Sequence, residues 1–332
     1  MIAFYRRESR QRPRERPPGI PTRIGTAGSF SAPPGTRVDP ADPSGYYVDL
    51  RSKAVSSDWP PTWHRRDKLH VGLIQWGLGC HERYLAGDGE EWLEAARWVA
   101  GELLELQQPD GRHAGGWVNE SPYKHTYRIA PPWLSGMAQG QGASLLVRLH
   151  RATGEERYAA AAVSALAPMK KPASEGGVAA TLGPGRVPEE YPTDPPSHVL
   201  NGCIFGLWGC YDVATAVADP GAAELASEGI GALADSLSRY DTGWWSRYDL
   251  FPHPVTNLAS PMYHRLHTDQ LRATALIDSD PRFAATADRF ERYAASSRNL
   301  ARAYSLKVLF RLAVPRNRWL AHRIPWARDE NR

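Results

Sequence analysis

Three stretches of the 332-residue chain carry side chains suited to moving protons. EEYPTDPPSHVLNG, from Glu189 to Gly202, sets two carboxylates and Tyr191 ahead of a loop that delivers Asn201 to the start of a helix. Prolines at 192, 195 and 196 fix three φ angles and hold that loop still. YDTGWWSRYDLF, from Tyr240 to Phe251, and NLASPMYHRLHTDQL, from Asn257 to Leu271, put Tyr248 and Tyr263 at loop or helix-entry positions, away from any apolar face. Carboxylates and phenols are general acids and bases, so proton transfer is the chemistry these strings suggest. The residues alone leave another option open, in which Glu189 and Glu190 are solvated loop acids and Tyr191 lies on a rim. His264 and His267, spaced i, i+3, resemble half a metal site. Asp269 points elsewhere on a helix and no third ligand completes the set, so structural histidines are expected and no metal is called.

Positioning these groups falls to an internal repeat. GLIQWGLGC begins at Gly72, GMAQGQGAS at Gly136 and GCIFGLWGC at Gly202, at intervals of 64 and 66 residues, and a further step reaches Leu266. GDGEEWLEAARW from Gly87, TGEERYAAAA from Thr153, GAAELASEGIGALADSL from Gly221 and SDPRFAATADRF from Ser279 supply a second helix for each unit. Each glycine in the first helices costs about 1 kcal/mol relative to Ala, and the reason to accept this is close approach of inner helices. The expected fold is all-α: about four helical hairpins forming an (α/α) toroid, with a short β segment at Tyr46–Arg51. The connections 109–133, 168–199 and 241–262 exceed ordinary loop lengths and are expected to share one mouth. LLELQQPDGRHAGGW, Leu103 to Trp117, reads as a turn stapling outer to inner helices.

Composition excludes several functions. With 42% hydrophobic residues the chain can bury a real core. The net charge of +4 comes from the ends: residues 1–40 hold eight Arg against three acids and residues 315–332 five against two, leaving the body near −4. Nucleic acid binding is disfavoured. Residues 1–44 read as a disordered Arg/Pro-rich tail, 45–312 as the barrel, and 313–332 as a basic tail. No apolar run approaches the roughly 20 residues that span a bilayer, and a cytoplasmic protein is expected. Cys80, Cys203 and Cys210 lack metal-site spacing and read as buried thiols.

In combination, WLSGMAQGQGASLLVRLHRATG, EEYPTDPPSHVLNGCIFGLWGCYD, YDTGWWSRYDL and NLASPMYHRLHTDQL, in this order, resemble the C-terminal catalytic domain of the D-glucuronyl C5-epimerase family, and the likeness extends from GYYVDLRSK at Gly45 to about residue 298. The resemblance implies an isomerase that converts D-glucuronic to L-iduronic acid within a glycan, on an (α/α) barrel and without a cofactor. It implies Glu190 and Tyr263 as the proton-exchanging pair, with Tyr191 and Tyr248 assisting. It also suggests substrate contacts at Tyr46, Arg51, Lys53, Gln75, Gln139, Asn201, Arg247, Asn257, His264 and Arg265. The partner is a uronic-acid-containing glycan, and a homodimer is compatible with the pattern. Inversion at C5 requires groups on both faces of the ring and donors for the charge that develops on the carboxyl oxygens. A polysaccharide lyase or hydrolase on the same toroid, or a non-catalytic glycan-binding barrel, remains an alternative. Two departures stand out: Phe251 and Ser260 occupy positions where animal members carry Arg, for which Arg247, Arg265, Arg51 or Lys53 are candidate substitutes.

Overall fold

The computed structural model describes residues 45–54, 70–124 and 126–314. The expected N-terminal tail, the aromatic run at 59–63 and all but the first two residues of the expected C-terminal tail lie outside the described residues.

The described residues are mostly helical. The hairpins are α1 (His70–Leu85) with α2 (Glu90–Leu106), α3 (Gly136–Thr153) with α4 (Glu156–Ser164), α5 (Leu200–Val217) with α6 (Pro220–Ser236), and α7 (Pro261–Ile277) with α8 (Pro281–Ala295). Local chemistry sets their ends. Asp219 and Asp280 accept the backbone N–H groups of Ala222 and Arg282 while Pro220 and Pro281 take the first helical position, where a missing N–H costs nothing. Ser135 and Ser260 cap α3 and α7 in the same way, and Gly154 ends α3 at φ 74°.

Inner helices pack in chain order, α1 on α3, α3 on α5 and α5 on α7. The glycine argument holds at the α3–α5 crossing. A Cβ on Gly140 would stand 2.5 Å from the Cα of Gly206, and one on Gly209 would run into the backbone of Gly140. Only bare backbones can come this close. Arg148 of α3 and Asp212 of α5 form a fully buried ion pair at 2.5 Å that ties the two helices together farther along.

Residues 45–54 form no strand, contrary to expectation. The segment is irregular and ends in a 3-10 turn at Arg51–Lys53. It docks on helices instead of pairing in a sheet: Glu82 accepts the N–H of Tyr46, Arg148 Nη2 donates to the carbonyl of Gly45 at 2.7 Å, and the Leu50 carbonyl lies against the bare Cα of Gly79. Extended structure occurs in the long loops, as antiparallel hairpins β1 (Tyr123–Lys124) with β2 (Arg128–Ile129), and β3 (Ala179–Leu182) with β4 (Gly185–Pro188).

Backbone hydrogen bonds stitch those loops together over the N-terminal ends of the inner helices. Gly136 donates to Glu189, Leu200 to Tyr248, Leu250 to Ser197, and Tyr248 to Asn257. The hairpin pattern did not include α9 (Ser297–Ala313), which follows α8 and packs on α7 and α8. No helix among the described residues is long and apolar enough to cross a membrane.

Candidate active site

Glu189 and Glu190 are adjacent in sequence and have opposite surroundings. Glu189 is consumed by its own loop: its carboxylate accepts the N–H of Ser197 at 2.8 Å, the Ser197 hydroxyl at 2.6 Å and the N–H of His198 at 2.9 Å, with His198 Nδ1 2.6 Å away. These bonds hold the loop where His198 adopts φ 46°, a left-handed conformation unusual outside glycine. Glu190 has no such duty. It is buried against the first turn of α5, where Asn201 Nδ2 approaches it at 3.5 Å. Gly202 makes the room, because a Cβ there would lie 2.9 Å from Glu190 Cδ and closer to its Cβ.

Burial pushes the Glu190 carboxyl up to about 7; the Tyr191 hydroxyl and the Asn201 amide pull it down, and the charge of Glu189 adds to the rise. An acid in this range exchanges protons readily near neutrality. Tyrosines surround it. Tyr191 stacks on Tyr123 at 4.4 Å between centroids and packs on Tyr127 at 5.1 Å, while Tyr248 meets Tyr263 edge-on at 5.0 Å. Burial raises Tyr248 well above the ordinary phenol range, and the charges of Glu190 and Tyr263 raise it further. Tyr248 therefore stands within electrostatic reach of both members of the expected proton-exchanging pair, one before α5 and the other in the first turn of α7. His70, Val71, Asn119, Trp133 and Ser135 line a hollow that opens onto Glu190 and Tyr191.

Below this level the inner helices carry polar side chains inward. Gln75 Nε2 donates to Gln141 Oε1 at 3.3 Å, and the Tyr46 hydroxyl faces Gln141 and Ser144 without a bond of good geometry. Gln270 Nε2 donates to the Asn201 carbonyl at 3.1 Å, and Asn201 Oδ1 and Gln270 Oε1 are buried without partners among the described residues. Gln141, Ser144 and Gln270 were not singled out from sequence. Gln270 lies two turns beyond Tyr263 on one face of α7, and that spacing was the available signal, whereas Gln141 and Ser144, spaced i, i+3 on α3, share a face with no residue recognised from sequence.

Other expected contacts lie elsewhere. Gln139 is a staple: its Oε1 accepts the N–H of Trp117 at 3.0 Å and its Nε2 donates to Ala165 at 2.8 Å. Gln107 staples the same turn, as expected of the Gln-rich string. Arg51 is buried in a bidentate pair with Asp49, and Lys53 is exposed. Both follow Leu50, which sits on Gly79, nine residues beyond His70 and so about 13 Å along α1 from the Glu190 hollow at 1.5 Å per residue. The corrected placement follows from residues 45–54 crossing late turns of the inner helices.

His264 is fully buried: its ring stacks on Trp245 at 3.8 Å, Ser246 Oγ lies 2.7 Å from Nδ1, and Nε2 meets the Phe290 carbonyl at 2.9 Å. Burial pulls it down to about 4, and it holds α7 to α8 as a neutral ring. His267 also meets Ser246 Oγ, at 3.0 Å, so the pair has a structural task. Arg265 is exposed and Arg247 half-buried. Asn257 is buried between Asp249, to which its Nδ2 donates, and Lys307, which donates to its Oδ1 at 2.6 Å.

The arrangement is that of a mostly helical domain of paired helices with a buried carboxyl among phenols at the N-terminal ends of inner helices, groups able to exchange protons. Residues 110–292, more than half of the chain, match the model of the D-glucuronyl C5-epimerase C-terminus, and the chain belongs to that family. It is 35% identical over 221 residues to the D-glucuronyl C5-epimerase of Caenorhabditis elegans, a match covering 61% of this chain and 35% of the relative. An uncharacterised protein of Methanocaldococcus jannaschii is 28% identical over 153 residues, covering 44% of this chain and 47% of that protein. The chain thus spans about a third to a half of the length of these relatives.

Proposed function

We propose that the chain inverts C5 of a uronic acid residue within an oligo- or polysaccharide, a conversion of the D-glucuronate to L-iduronate type. The observation that carries this reading is the buried Glu190 carboxyl among tyrosines in a chain of this family, where burial pushes it up to about 7. Glu190 takes the C5 proton on one face of the sugar ring and Tyr263 delivers a proton on the other; in the reverse direction the roles exchange. Tyr191 and Tyr248 orient the carboxyl and the sugar between them. Removal of a proton α to a carboxylate places a second negative charge on its oxygens. The N-terminal ends of α3, α5 and α7 supply partial positive charge for that moment. In this reading the row of hairpins closes into a ring, and the inward amides of Gln75, Gln141, Asn201 and Gln270 serve sugar hydroxyls.

Incubation of uronic acid oligosaccharides in deuterated water, followed by mass spectrometry, tests the reading. Native protein incorporates one C5 deuterium per residue turned over without chain cleavage, and Glu190→Gln does not. An unsaturated product absorbing in the ultraviolet, or no label in any uronic polymer, refutes it.

A further inference from the structure

The two positions where an arginine would be expected are occupied by groups with other work. Phe251 packs against Tyr127 and His253, at 5.6 and 4.7 Å between centroids, and Ser260 caps α7 through the N–H of Tyr263. Three of the four basic substitutes named from sequence do not fill the gap. Arg51 is engaged by Asp49, and Lys53 and Arg265 are exposed. Arg247, the residue before Tyr248, is half-buried, and its Nε is buried without a partner among the described residues.

A different cation reaches the site. α9 begins at Ser297, beyond residue 292 where the family match ends, and turns Ala303, Lys307, Phe310 and Arg311 inward on one face. Lys307 is 4% exposed; its Nζ donates to Asn257 Oδ1 and to the Leu258 carbonyl, each at 2.6 Å, and stands 5.4 Å from the centroid of the Tyr248 ring. Through Asn257 it continues to Asp249, which also accepts the Tyr127 hydroxyl and lies 3.2 Å from His253 Nε2.

We propose that Lys307, supplied by a helix outside the family-matched region, is the positioning cation of this active site: it holds the Asn257–Asp249–Tyr127 chain and sets a positive charge against Tyr248. The charged and titratable groups facing Tyr248 are Glu190 and Tyr191 from the loop before α5, Tyr263 from α7, Tyr123 from β1, Tyr127 from the turn between β1 and β2, Asp249 from its own loop and Lys307 from α9. The acids and phenols in this set make negative charge on a tyrosine costlier. Lys307 opposes them, and an ammonium within about 6 Å of a ring centroid is attracted to its face. The proposal rests on the epimerase reading for its effect on turnover and on geometry alone for its effect on the Tyr248 phenol.

Two variants separate charge from scaffolding. Lys307→Gln can still donate an N–H to Asn257 or Leu258 but carries no charge, whereas Lys307→Arg keeps the charge. In the C5 deuterium assay, Lys307→Gln is expected to lose on the order of 10²-fold in kcat with KM within about threefold, and Lys307→Arg to recover at least roughly tenfold of that loss. Independently, 2,3,5-trifluorotyrosine, whose phenol is far more acidic than that of tyrosine and so offsets the rise caused by burial, is placed at position 248 and followed by fluorine NMR; it titrates at higher pH in Lys307→Gln than in the parent. If Lys307→Gln folds and keeps both the parent turnover and the parent titration, the proposal is overturned. If neither protein labels any uronic glycan, the epimerase reading fails, and the fluorine titration decides the role of Lys307. If Lys307→Gln does not fold, Lys307→Arg decides: a folded arginine variant with unchanged Tyr248 titration supports the charge, and one that titrates higher refutes it.

Discussion

Gly202 is the residue whose smallness the site needs most directly, and Gly202→Ala tests that need. A methyl group there would lie 2.9 Å from Glu190 Cδ and nearer still to its Cβ, against the 3.5–4.0 Å of ordinary carbon contact, so the acid must move by about 1 Å. Because the overlap involves Cβ as well as the carboxylate, rotating the end of the side chain cannot relieve it. Overpacking of this kind costs about 1–3 kcal/mol of stability, and a 1 Å misplacement of a reacting group costs on the order of 10²-fold in rate. The expected result is a protein that folds with a modestly lowered Tm and exchanges C5 deuterium roughly a hundred times more slowly. Thermal melts and single-turnover labelling on the same preparation read both quantities. Exchange within threefold of the parent in a folded Gly202→Ala protein would refute the placement of Glu190 as the reacting acid.

Gly231 provides the opposite sign: a methyl group added to it in α6 would meet nothing within 4 Å, so Gly231→Ala should stabilise by about 0.4–1 kcal/mol and leave exchange unchanged, as melts and labelling will show. Glu190 is raised from 4.5 to about 7, so its contribution to stability is fully present below 4.5 and lost as pH rises through 7, roughly 3 kcal/mol in all. The Tm of Glu190→Gln relative to the parent should therefore climb between pH 5 and 8, while exchange stays abolished; a pH-independent difference in differential scanning fluorimetry would count against the burial argument. Arg148→Met strands Asp212 in the core, where Tyr47 donates to it at 2.7 Å, and should cost about 3–5 kcal/mol in urea denaturation.

Much of the hairpin architecture was legible because its signals are local. The 64- and 66-residue spacing of glycine-rich helices, and Asp-Pro before α6 and α8, mark elements without reference to anything distant. The stapling role of the Gln-rich turn was legible for the same reason. A strand at Tyr46 was expected from β propensity, but strands need partners, and the helices offered side-chain acceptors and bare glycine in place of a sheet edge. His264 and Gln139 were assigned by motif position, yet both ring nitrogens of the one and the whole amide of the other are taken by structural partners.

By itself the order of residues determined the kinds of groups available, the helices that carry them and the family to which the chain belongs. Only the tertiary structure decided which of two adjacent acids is available for chemistry, since Glu189 is bound by its own loop and Glu190 is turned into the space left by Gly202. It also decided which cation attends Tyr248, because Lys307 lies 59 residues away along the chain and meets that ring only when α9 folds back on α7 and α8. Proton affinity and charge pairing depend on distance and burial, and neither is written in sequence spacing across loops.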